Sequence, residues 1–227
     1  MALIKFGLVV TDARGKLGGH VFTKSRNGST VRTKTIPSNP QTTAQQAARS
    51  RLASFSAKWR DLTVAQRDAW NAAVPQWSKT NVFGDQYNPS GKNLYVSLNI
   101  NLLIVGGAPI DEPPLPTEVT APGINNLVLD GSTPLVSFDF ANPRPFEQAL
   151  EVEATPSISP GITYARNKFR FIVSAPQNTT PTVDLTAEYI AKFGAVTVGQ
   201  QIIIKVTPIV VGTGQRGVPE TLSGIVQ

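Results

Sequence analysis

Ala108-Pro109-Ile110-Asp111-Glu112-Pro113-Pro114-Leu115-Pro116 is the stretch on which the reading of this chain turns. Its four prolines lack backbone N–H donors and fix φ, so the segment cannot continue a helix and suits an extended, fairly stiff connector. Upstream of it, apolar residues recur every three or four positions. Downstream, the period is two. The pattern predicts a basic anchoring domain over residues 1–107, a proline-rich linker over 108–118 and a β-sandwich domain over 119–227.

Working back from the linker, Gly106-Gly107 ends a helix that begins near Ser90 and runs through Leu94, Leu98 and Leu102. Thr63-Val64-Ala65-Gln66 is a capping box that starts another helix, which carries Trp70 and stops near Pro75. A third apolar stripe, Ala48, Leu52, Phe55 and Trp59, marks the helix after Pro37 and Pro40, with Arg49, Arg51, Lys58 and Arg60 off the stripe. Leu52, Phe55, Trp59 and Trp70 are expected to pack together. Further upstream, residues 4–10 are β-rich, and Gly15-Lys16-Leu17-Gly18-Gly19 reads as a flexible turn. His20–Lys24 and Thr30–Lys34 flank Asn27-Gly28, a hairpin signal because turns of this kind need positive φ.

Forward from the linker, strands are expected over 125–130, 134–140, 147–154, 166–174, 195–198, 201–211 and 221–226. Seven short strands in about 110 residues are the pattern of an immunoglobulin or fibronectin type III sandwich. One helix interrupts them, with Leu185, Tyr189 and Phe193 on one face and Gly194 as its C-cap. Residues 206–218 form a hairpin with a long loop around Gly212-Thr213-Gly214-Gln215. The expected fold class is an α+β N-terminal unit, a β-hairpin with three short helices, followed by an all-β sandwich.

Charge follows the same division. Residues 1–110 hold 14 Lys and Arg against Asp12, Asp61, Asp68 and Asp85, a net of +10. Since the whole chain is +6, the remainder is −4. The cations of the first strands, Lys5, Arg14, Lys16, Lys24, Arg26, Arg32 and Lys34, face only Asp12, so they are the candidate partner-binding residues, an anchoring hairpin for an acidic surface or nucleic acid.

Catalytic chemistry is poorly supplied. There is no cysteine and one histidine, His20, so thiolate chemistry and Cys/His metal sites are excluded, and no disulfide is possible. A Ser–His–Asp triad would have to use His20, beside two glycines on a hairpin. Arg14–Gly19 lacks the order of a phosphate loop and no helix follows it. Glu151 with Glu153, and Asp184 with Glu188, read as solvated acidic faces rather than a hydrolytic pair. No helix-turn-helix, zinc finger or aromatic RNA platform is recognisable, and Trp59, Trp70 and Trp77 suit helix cores. No apolar run is long enough to span a bilayer, and the first residues do not make a signal peptide. The expectation is a protein that is not an enzyme, with no cofactor, no metal and no membrane partner.

Gly15–Gly19, Val21–Gly28, Asn39-Pro40-Gln41-Thr42, Trp59, Leu62-Thr63, Gln66-Arg67, Ala69-Trp70-Asn71 and Ser90–Tyr95 occur in that order. Over about residues 5–105 this resembles a poorly characterised family of tailed-bacteriophage and prophage proteins. In plan it is similar to uncharacterised Bacteroidetes proteins that join such a start to a fibronectin-like end. The resemblance implies a virion structural protein made in the host bacterial cytoplasm. Such a protein would assemble with copies of itself and other virion proteins at the head–tail connector, tail or capsid surface. It implies no active site. A cell-surface or host-binding module, with Tyr164 and Phe146 on sandwich loops, and a nucleic-acid-binding protein are the alternatives.

Overall fold

The computed structural model describes residues 2–3, 7–8, 12–25, 28–36, 38–81, 83–140, 148–175 and 182–227. The chain is α+β and divides into two compact units, Met1–Gln46 and Ala47–Gln227.

The first unit is an antiparallel sheet of β1 (Ala2–Leu3), β2 (Gly15–Leu17), β3 (His20–Ser25) and β4 (Gly28–Thr33), in the order β1-β4-β3-β2. Ser25 pairs with Gly28, so Gly28 opens β4 instead of standing in the turn; Asn27 lies outside the described residues. Only Thr30 is buried among the described residues of this unit, and its hydroxyl meets that of Thr23 across the strands at 2.8 Å.

The second unit holds most of α1 (Thr43–Asp61), with α2 (Val64–Ala73) and α3 (Gly91–Ile104). The capping box is present: the Thr63 hydroxyl accepts from Gln66 N at 3.2 Å, and Gln66 Oε1 accepts from Thr63 N at 3.0 Å. Pro75 ends α2 in a 3-10 turn over Val74–Trp77. A two-residue hairpin, β5 (Lys79–Thr80) with β6 (Gln86–Tyr87), follows, its turn held by the Asn81 side chain, which accepts from Phe83 N and Asp85 N. Ser90 caps α3, whose apolar residues surround the helix, as in a helix buried on most sides. Phe55, Trp59 and Trp70 gather around the Tyr95 ring, with centroids 5.3 to 6.5 Å away, two of them edge-on. Leu52 is not part of this cluster; it is 53% exposed, because α1 meets no other element until Phe55.

Among the described residues seven further strands form two antiparallel sheets: β7 (Ile124–Asp130), β8 (Leu135–Phe140) and β11 (Thr182–Asp184) in the order β11-β8-β7, and β9 (Gln148–Ala154), β10 (Arg170–Ala175), β12 (Gln201–Val210) and β13 (Glu220–Ile225) in the order β10-β9-β12-β13. Alternate residues of both, including Val136, Phe138, Leu150, Val152, Ile202 and Ile204, enter one core with Leu185 and Tyr189. Tyr189 belongs to α4 (Thr186–Phe193), and its hydroxyl donates to Thr155 O at 3.1 Å. Residues 195–198, expected as a strand, form none. Gly199 N–H donates to Val226 O and Gln200 N–H to Thr197 O, which turns the chain there, whereas β11, paired with β8, is a strand the sequence reading did not expect.

The division after Gln46 does not coincide with the expected linker. Asn99 accepts from Ile110 N at 2.8 Å and donates to Ile110 O at 3.1 Å, while the Trp70 indole donates to Asp111 O at 2.8 Å. Thr117 N donates to Gln215 Oε1 at 2.9 Å. The proline stretch is thus strapped to the helices and to the β12–β13 turn. That turn also lies on α3: Asn101 donates to Gly214 O at 2.8 Å, and a Cβ at Gly214 would fall 2.2 Å from Leu98 O. At φ +71°, Gly214 adopts a left-handed conformation that L side chains disfavour. Helices and sheets therefore form one compact unit.

Candidate functional site

The hairpin cations divide between the two faces of the first sheet. Residues directly opposite on paired strands point the same way, and side chains alternate along each strand. Lys16 opposes Val21, which opposes Arg32, so Lys16, Val21 and Arg32 form one row on one face, with Thr23 and Thr30 beside it. Lys24 has the opposite parity and points to the other face with Phe22. Asp12 lies 3.7 Å from the Lys24 ammonium and 3.8 Å from the Arg14 guanidinium. Lys34 follows β4, its backbone N–H bonded to Gly19 O. Lys5 and Arg26 lie outside the described residues. Neither Lys16 nor Arg32 has an ion-pair partner among the described residues. The register therefore divides the candidate cations: Lys16 and Arg32 stand together, and Lys24 stands apart from them.

The strand order brings together a second set of charges, of which the sequence reading weighed only Asp184, and that with Glu188. On the three-stranded sheet, Asp139 lies opposite Thr182 and Asn125, Ser137 opposite Asp184 and Val128, and Leu135 opposite Asp130. Val136 and Phe138 point into the core, so Asp130, Asp139 and Asp184 lie on the outer face. No Lys or Arg occurs in β7, β8 or β11. Each carboxylate is held by hydroxyl or amide donors. Thr133 and Ser132 bond Asp130 and lower its pKa to about 2. Asn126, at 2.6 Å, and Thr182 lower that of Asp139; the Thr186 hydroxyl and N–H lower that of Asp184. All three groups are ionised at neutral pH.

The residues weighed for catalysis are placed otherwise. His20 is exposed on β3. Residues 15–19 form β2 and a turn leading directly into β3, so no helix N-terminus stands behind Gly15. Glu151 is not on a solvated face: it is 7% exposed and pairs with Arg216. Glu153 pairs with Lys205, which also lies over the Phe169 ring at 5.2 Å. Asp184 is not one helical turn before Glu188 but precedes α4, whose Thr186 it binds. No group of three His, Cys, Asp or Glu suited to a metal occurs among the described residues, and no described helix is long and apolar enough to cross a membrane. Tyr164 is exposed, while Phe146 lies outside the described residues.

Comparison with family models, with curated proteins and with solved structures found no match to this chain.

Proposed function

We propose that this chain is a non-catalytic structural subunit of a bacteriophage virion, assembling in a symmetric array at the neck, tail or capsid surface and attached through its N-terminal sheet. The observation that carries this reading is the poverty of that sheet: residues 1–46 bear seven Lys and Arg against one Asp, and the only buried residue described in them is a threonine. A small sheet without an apolar core is marginal in water, so it gains stability by covering itself against a neighbour. Its exposed strand edges also suit pairing with another chain. The second unit is compact and internally bonded, as suits a rigid building block. Its three-strand and four-strand sheets around one core support an immunoglobulin or fibronectin type III reading, in which Tyr189 fastens the connection between sheets.

Electron microscopy of the purified full chain, with mass spectrometry of tailed particles from the cells that carry it, tests the proposal. Rings or regular arrays, and the chain's peptides in purified particles, are expected. A chain that stays monomeric at all concentrations and is missing from particles overturns it.

A further inference from the structure

The structure points to a head-to-tail contact in which the Lys16–Arg32 face of one chain's N-terminal sheet docks on the Asp139–Asp184 face of the three-stranded sheet of a second copy. This rests on the proposed assembly role and names the partner of that surface.

Four observations converge. The basic face is unpartnered: Lys16 and Arg32 flank Val21 in one row and have no acidic partner among the described residues. The opposite sign is displayed by the same chain, on a sheet face whose strands contain no cation. Those carboxylates stay charged, because local donors hold their protons off. The spacings also agree. Lys16 and Arg32 are two strands apart, about 9.6 Å, and Asp139 and Asp184 are one strand and two residues apart, about 8 Å, from the usual strand spacing and rise. Both cations can therefore meet both carboxylates at once when the two sheets pack face to face.

The surrounding surface fits such packing. Val21 and Thr23 lie beside the cations, and Val128, 38% exposed, lies in the row of Asp184. Like faces repel: two basic faces, or two acidic ones, do not pair. The contact therefore joins different patches on the two copies, and where it is made once between them it is heterologous. Repetition of a heterologous contact yields a ring where the rotation closes and a filament where it does not.

Charge exchange on the full chain tests this. One variant carries Lys16→Glu with Arg32→Glu, a second carries Asp139→Lys with Asp184→Lys, and a third carries all four. Because Asp139 accepts bonds from Asn126 and Thr182, and Asp184 from Thr186, a fourth variant, Asn125→Lys with Val128→Lys, adds cations to the same face and keeps every carboxylate. Thermal melts establish that each is folded, and sedimentation velocity at low and high salt reads association. The wild type is expected to associate and to dissociate as salt screens the contact. The first, second and fourth variants alone should associate at least about tenfold more weakly. An equimolar mixture of the first and second should associate again with the two variants alternating, since each variant's N-terminal face is complementary to the other's three-stranded sheet. The variant with all four exchanges should associate again. Folded variants that associate like the wild type, a mixture that stays monomeric, or a four-fold variant that does not recover overturn the inference. Wild-type assembly that survives every exchange sinks this contact and leaves the assembly role intact, whereas a wild type that never associates and is missing from particles sinks both.

Discussion

Asn99 closes a two-bond ring with the backbone of Ile110, accepting from its N–H at 2.8 Å and donating to its carbonyl at 3.1 Å. The side-chain amide replaces the strand that an extended segment would otherwise need. Two residues on, Asn101 holds Gly214, so α3 fastens the proline stretch and the β12–β13 turn together.

Replacing Asn99 by alanine leaves two backbone groups of Ile110 without their partners. Asn99 is fully buried, so a loss of about 2–4 kcal/mol is expected in urea unfolding of the full chain, taking about 1–3 kcal/mol for each stranded group and allowing for partial access to water. A loss below about 0.5 kcal/mol would mean that the proline stretch is a free linker after all.

The aromatic cluster makes a contrast between neighbours on one stripe. Phe55→Ala removes a ring buried against Tyr95, and a loss of about 3–5 kcal/mol is expected. Leu52→Ala, one turn earlier, should stay within about 0.5 kcal/mol of wild type, as exposed positions do. Equal effects at both positions in chemical denaturation would show that Leu52 is covered in solution.

Two buried tyrosines should respond oppositely to loss of the hydroxyl. The Tyr95 hydroxyl has no hydrogen-bond partner among the described residues, and burial, with the charges of Asp111 and Asp61, raises its pKa. The Tyr189 hydroxyl, its pKa also raised by burial, donates to Thr155 O. Tyr95→Phe should therefore be neutral or stabilising, while Tyr189→Phe should cost about 1–3 kcal/mol by stranding a buried carbonyl. Thermal melts of the two variants decide this; destabilisation of both by the same amount counts against the Tyr95 geometry.

How much of this was legible in the sequence depended on how local each signal is. Thr63 and Gln66 could be read because a capping box closes within four residues, and α4 because Leu185, Tyr189 and Phe193 repeat on one face. Five expected strands fell within a few residues of β7, β8, β9, β12 and β13. The β5–β6 hairpin and β11 are too short to show a period, and Val196 and Val198 supplied strand-forming side chains without the ladder. The charges of the first strands were visible, but their faces were not: the side on which Lys24 falls relative to Lys16 depends on turn length and register. The acidic face was missed for the same reason, since Asp184 reaches it only through the pairing of β11 with β8.

Acid should weaken the fold through Asp130. Its pKa is lowered to about 2 from an ordinary 3.8, so ionised Asp130 favours the folded state. That contribution is fully present above pH 4 and disappears as the pH falls through about 2; Asp139 and Asp184, lowered by their own donors, act in the same direction. NMR titration of the Asp130 carboxyl should give a midpoint near 2 in the wild type, moving up toward 3.8 in Thr133→Ala. A wild-type midpoint already at 3.8 rules out the bonded turn.

Deleting residues 1–36 should separate attachment from folding. The core residues of the second unit run from Phe55 to Val226, and the segment removed contributes none of them. Its own sheet buries only Thr30 among the described residues, so its loss should leave the melting transition of the remaining unit where it was. What goes with it is Lys16, Arg32 and the strand edges of β1 and β2, the groups through which the chain is proposed to hold its neighbours. The truncated chain should therefore be folded and monomeric under conditions where the full chain associates. Association of the full chain should weaken as ionic strength rises, because exposed ion pairs are screened over about 8–10 Å near physiological salt. Melting curves and light scattering, taken on both chains across a salt series, measure the two effects separately. A truncated chain that still assembles would move the attachment surface to the second unit. One that unfolds would show that the sheet supports the core it was thought merely to precede.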